Sequence, residues 1–177
     1  KVDNNIDIVF WMMSTNGPRQ VHRSIEVPLW SEIKGNYTQP VSDAITEMVD
    51  RFTPARGGQL VLWHGEPGTG KTYALRALGR EWRKWCDFHY IVDPERFFGH
   101  DADYLMTVLL DQRYTGPIDD DDEYDPDYME GEDRWKLLIF EDTGELMAAD
   151  AAERAGAGLG RFLNTVDGMI GQGLKVL

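Results

Sequence analysis

Gly65-Glu66-Pro67-Gly68-Thr69-Gly70-Lys71-Thr72 fits the phosphate-loop pattern G-x-x-x-x-G-K-[ST] at every fixed position. Gly68 and Gly70 let the backbone turn inward, so that its N–H groups face phosphate oxygens with no Cβ in the way. Lys71 is set to reach the β- and γ-phosphates, and the Thr72 hydroxyl to ligate Mg2+. The flanks agree with the motif. Residues 59–63, Gln-Leu-Val-Leu-Trp, read as a short buried strand entering the loop. Residues 71–85 read as the helix leaving it, with Ala74, Leu75, Leu78, Trp82 and Trp85 at helical spacing. A helix N-terminus beneath the phosphates adds its dipole. A glycine-rich turn that matches by chance is the alternative, and both flanks weigh against it. The expectation is a nucleoside triphosphate site formed by Gly65, Glu66, Pro67, Gly68, Thr69, Gly70, Lys71, Thr72 and Tyr73, with Mg2+ beside it.

The 177 residues suffice for one domain with a full core, and 42% hydrophobic with 28% charged content is ordinary for a soluble globular chain. No apolar run approaches the roughly 20 residues that span a bilayer, and the first residues carry no signal pattern, so no membrane segment is expected. A lone Cys86 excludes an intramolecular disulfide and suits a reducing, cytoplasmic setting. Cys86 and His89 make one ligand pair, short of the about four ligands a zinc site needs. His22, His64 and His100 form no cluster in sequence.

The net charge of −13 is local. Ten of the 31 acids fall in residues 119–133, inside an acidic loop at 116–134, and without them −13 becomes −3. Such a run repels itself and cannot bury its carboxylates, which predicts a solvated loop. Docking of a basic partner is the functional alternative. The charge argues against broad binding of duplex DNA, so nucleic acid is not an expected partner.

Residues 6–14 and 20–29 are extended runs around Asn16-Gly17, a pair able to supply positive φ, and predict a β-hairpin. The hairpin is expected as an N-terminal extension over 1–35, packed on a core over 36–177. Helices are predicted over 41–52, with Val41, Ile45, Met48, Val49 and Phe52 on one face, and over 101–110, with Tyr104, Leu105, Val108 and Leu109 inward. A further helix is predicted over 159–170, and strands over 88–92, 135–140 and from 174 onward. Alternating strands and helices with right-handed crossovers predict an α/β fold, a three-layer sandwich around a central parallel sheet.

The apolar strand Leu137-Leu138-Ile139-Phe140 ends in Glu141-Asp142, two carboxylates where a Walker B motif belongs. Glu141 is assigned to Mg2+ and Asp142 to the attacking water, making Lys71, Glu141 and Asp142 the catalytic set. The usual order is Asp then Glu. One methylene more or less shifts a carboxylate by about 1 Å, a scale to which catalytic water positioning is sensitive. A capping pair at a strand-to-helix turn is the structural alternative.

With both Walker motifs quoted, the chain resembles the core of an AAA ATPase over residues 36–177. The stretch Phe162-Leu163-Asn164-Thr165-Val166-Asp167-Gly168 is similar to the helix that follows Walker B in that family. The Glu-Asp order is similar to that of its mitochondrial inner-membrane translocase branch. The resemblance implies a P-loop NTPase sandwich that binds ATP and Mg2+ and hydrolyses ATP. It further implies a homo-oligomeric ring and a protein substrate that is remodelled or translocated. It puts Asn36-Tyr37 near the adenine edge, and Phe97, Phe98 and Gly99 in a pore loop. Adjacent aromatics between a strand and a helix also serve as core plugs. Sensor 1, the arginine finger and the helical lid would lie beyond Leu177, so the resemblance implies a core incomplete at its C-terminus. A nucleic-acid-associated loader or helicase-like ATPase, and an ATP-binding scaffold with little hydrolysis, are the competing classes.

Overall fold

Within residues 5–14, Ile8 to Met13 is an unbroken apolar run, the composition of a strand covered on both faces. The structure, a computed structural model, describes residues 4–52, 54, 60–99, 102–111, 134–141, 160, 162, 164, 165 and 175–177. The apolar run lies in β1 (Asn5–Ser14), which turns into β2 (Gly17–Glu26). Gly17 supplies the positive φ, at 103°, and the Ser14 hydroxyl donates to its carbonyl at 2.7 Å. β3 (Cys86–Ile91) and β4 (Trp135–Ile139) complete a four-stranded sheet in the order β2-β1-β3-β4. β1, β3 and β4 are parallel, with Ile8 opposite Phe88 and Cys86 opposite Trp135, and β2 closes the edge antiparallel. Val176 bridges Lys136 in parallel beyond β4, where the expected last strand begins.

Two expectations are corrected. The hairpin is built into the sheet rather than packed on it. β1 pairs with β2 along one side and with β3 along the other, and Val9 and Trp11 are buried under one face and Ile6 and Ile8 under the other. The strand expected over 59–63 is not found in residues 60–63. Leu60, Val61 and Leu62 are exposed, and no described strand lies beside them to take up their backbone groups. The result is a mixed α/β sheet.

Helices cover both faces. α1 (Trp30–Ile33) leads through a 3-10 turn to α2 (Gln39–Arg51), followed by α3 (Lys71–Trp82), α4 (Pro94–Phe97) and α5 (Ala102–Leu110). Leu78 and Trp82 of α3 pack on Ile6, Ile8, Phe88 and Ile139. Tyr104, Leu105, Val108 and Leu109 of α5 pack on Val9, Trp11, Ile91 and Leu138. All four were expected inward. In α2, Ile45 is buried while Val41, expected beside it, is exposed. Gly160, Phe162, Asn164 and Thr165 are helical, and Phe162 is buried; the rest of 159–170 lies outside the described residues. So does the acidic loop, apart from Arg134.

Buried polar groups tie the layers together. Lys136 on β4 donates to the carbonyls of Val108 at 2.7 Å and Asp111 at 2.6 Å, satisfying the C-terminal end of α5. Burial pulls its ammonium down to about 8. Arg134 meets Asp87 at 2.8 Å and the carbonyls of Arg83, Lys84 and Cys86. His89 on β3 accepts at Nδ1 from the Trp11 indole N–H at 2.9 Å. Burial, helped by the positive Lys136 and by His22, holds its imidazole well below the usual histidine range.

An unfolded His89 takes up a proton near pH 6.5 and the folded one does not, so stability is full above that pH and declines below it. Melting temperature should therefore fall between pH 7 and 5.5, approaching a loss of about 1.4 kcal/mol per pH unit. His89→Gln, whose amide oxygen still accepts from Trp11, should flatten that slope. Lys136 titrates in a separate window above about 8 and does not interfere.

Candidate functional site

The loop 65–70 runs into α3 through two left-handed residues, Gly68 at φ 79° and Gly70 at φ 86°. Both sit in the region that L side chains avoid, which explains glycine at each. The Thr69 hydroxyl donates to the Glu66 carbonyl at 2.8 Å and closes the turn from inside. Lys71 Nζ folds over the loop and donates to the Gly65 and Glu66 carbonyls, each at 2.9 Å. Among the described residues it meets no carboxylate, and backbone oxygens of the loop hold its charge.

The decisive contact joins two distant parts of the chain. Thr72 Oγ1 donates to Glu141 Oε1 at 2.5 Å, across 69 positions of sequence. Thr72 stands on the first turn of α3, and Glu141 two residues past the end of β4. The second carboxylate oxygen, Oε2, accepts from the Tyr90 hydroxyl at 3.1 Å. A hydroxyl and a carboxylate side by side are hard oxygen donors of the kind Mg2+ takes, and they lie at the N-terminus of a twelve-residue helix. The residues present fit a phosphate-bound Mg2+. Asp142 lies outside the described residues.

Tyr37 was expected at an adenine edge and is found against the loop. Its hydroxyl donates to the Gly70 carbonyl at 2.9 Å, and a Cβ built at Gly70 would stand 3.0 Å from that hydroxyl. Gly70 is thus required twice, by its φ and by the tyrosine. Burial first, and then neighbouring Tyr73, push the Tyr37 hydroxyl above its ordinary value. Tyr73 is exposed on the first turn of α3, and Asn36 is exposed in the 3-10 turn.

The pore-loop expectation for Phe97 meets a different geometry. Phe97 has no exposed surface and touches the rings of Phe98, Tyr104, Phe140 and Phe162 with centroids 5.2–5.9 Å away. Phe98 and Gly99 are half-buried beside it. Asp93, at the start of α4, accepts from Met13 N–H at 2.9 Å and the Tyr104 hydroxyl at 2.7 Å, fixing the segment to β1 and α5. A ring enclosed in this way is a core plug and offers no grip on a passing chain. The expectation is corrected at this residue.

Tyr90 was not singled out from the sequence. Its signal lay in strand alternation: it shares a face with Cys86 and Phe88, and its register partner Ile139 precedes Glu141 by two residues. Among the described residues no three His, Cys, Asp or Glu side chains group as a metal cluster. No helix of the described residues is long and apolar enough to cross a membrane.

Residues 1–50 match a family model described as a domain of unknown function, DUF5925. The match takes in the hairpin, α1 and most of α2, and stops before the loop at 65–70. No curated protein and no solved structure matches the chain.

Phe97→Ala should cost about 3–5 kcal/mol of stability, because four packed rings cannot close the cavity it leaves. Chemical denaturation measures it. A loss under about 1 kcal/mol would put the ring back among surface residues.

Proposed function

We propose that the chain binds ATP with Mg2+ and hydrolyses the terminal phosphoanhydride, as a P-loop sandwich of the AAA ATPase type. The observation that supports this most is the Thr72–Glu141 contact. A chance glycine turn has no reason to bring the hydroxyl after its lysine onto a carboxylate at the end of a separate parallel strand. In this reading the loop amides and Lys71 hold the phosphates, and Lys71 exchanges its backbone carbonyls for phosphate oxygens. Thr72 and Glu141 would hold Mg2+, which would supply charge neutralisation for the phosphates. Asp142 accepts the proton of the attacking water. Tyr37 keeps the loop's last peptide in place through Gly70.

Assembly as a homo-oligomeric ring in the cytoplasm, acting on a protein substrate, is part of the same proposal. It rests on the resemblance of residues 162–168 and not on Phe97.

Calorimetric titration with ATP and Mg2+ tests the site. Lys71→Ala should abolish measurable affinity with the fold intact, and undiminished affinity would sink the reading. Asp142→Asn should keep binding and lose hydrolysis by about 10²-fold or more. Glu141→Gln should weaken the Mg2+-dependent part of binding. Tight binding without turnover in the full-length wild type would point to a nucleotide-gated scaffold instead.

A further inference from the structure

A glutamate that serves a metal has one more rotatable bond than an aspartate, and so more freedom to lose when it is fixed. Glu141 has a second anchor that addresses this. Oε1 takes the Thr72 hydroxyl, while Oε2 takes the Tyr90 hydroxyl at 3.1 Å. Tyr90 is itself held firmly: it lies in β3 opposite Ile139 of β4, and its ring packs on Phe10 with centroids 5.4 Å apart. Two hydroxyls from two elements therefore fix both oxygens of one carboxylate. We propose that Tyr90 is a positioning residue for the Mg2+-side carboxylate, holding Oε2 so that Oε1 stays on Thr72 and faces the metal. The inference rests on the reading of Glu141 as the metal-side acid. In this role Tyr90 reaches the metal through Glu141 and does not touch it. A neutral phenol suits the task, because a lysine or arginine there would anchor the carboxylate while cancelling the charge that draws the cation. Reach matters equally, since an aspartate at 141 is one bond too short to keep both hydroxyls.

The test is a double-mutant cycle on the full-length protein, read as ATP affinity with Mg2+ and with EDTA. Tyr90→Phe should leave affinity in EDTA unchanged and cut the Mg2+-dependent gain by about 5- to 10-fold. In a Glu141→Asp background the same Tyr90→Phe change should have no further effect. A Mg2+-dependent gain in Tyr90→Phe equal to wild type overturns the inference while leaving the ATP site standing. Equal losses in both backgrounds, or a matching loss in EDTA, also overturn it, because Tyr90 would then act on the fold at large. If the wild type itself binds no ATP with Mg2+, the ATP-site reading fails and this inference falls with it.

Discussion

A Cβ at position 79 would stand 2.8 Å from Ile6 Cδ1 and 3.3 Å from the Phe88 ring, so the backbone of α3 rests directly on the Ile6 and Phe88 side chains of β1 and β3. That close approach sets the height of the helix over the sheet, and the height sets what its first turn can reach. Thr72 meets Glu141 because α3 lies this low and because β3 and β4 carry Tyr90 and Glu141 out at the same end of the sheet. Ala74 and Ala77, both buried, bring α1 and α2 equally near on the outer side of α3, and Tyr37 arrives at Gly70 on that packing. The loop geometry is thus a consequence of small residues along one helix.

The interior and the site use polar groups in opposite ways. Among the described residues, the buried Arg134 and Arg80 and the half-buried Lys136 are each tied to protein oxygens: Arg134 to Asp87 and three carbonyls, Lys136 to the end of α5, Arg80 to Asn4 and the Val27 carbonyl. These contacts keep desolvated charge satisfied and fix where strands begin. At the site, Lys71 holds on to backbone carbonyl oxygens that a ligand's own oxygens could replace. Exchange there costs little, whereas exchange at Arg134 would strand a buried charge.

Much of this was legible in the residues. The glycine turn into α3, the inward face of α5 and the apolar strand before Glu141 each follow from local pattern, because their period or spacing is set within a dozen residues. The place of β1 was also written there, in a run of Ile6, Ile8, Val9, Phe10 and Trp11 too apolar for a hairpin with one wet face. That clue was outweighed by the turn at Asn16-Gly17, which marks a hairpin wherever the hairpin lies. Residues 60–62 misled for the reverse reason, since an apolar run predicts burial only if a partner strand is at hand. Phe97 and Tyr90 were harder. Whether an aromatic ring points into a core or out of a pore, and which hydroxyl meets Glu141, depends on residues 40 to 65 positions away that only the assembled sheet brings near.

The central claim is that the loop from Gly65 to Thr72 and the carboxylate of Glu141 form one Mg2+-nucleotide site. A crystal structure of the full-length protein grown with Mg2+ and a non-hydrolysable ATP analogue tests it most directly. The account predicts a triphosphate lying on the loop amides, Lys71 Nζ moved from its backbone carbonyls to the phosphates, and a metal held between Thr72 Oγ1 and Glu141. A loop left bare at saturating analogue, or a nucleotide bound elsewhere with Thr72 still on Glu141, would contradict it.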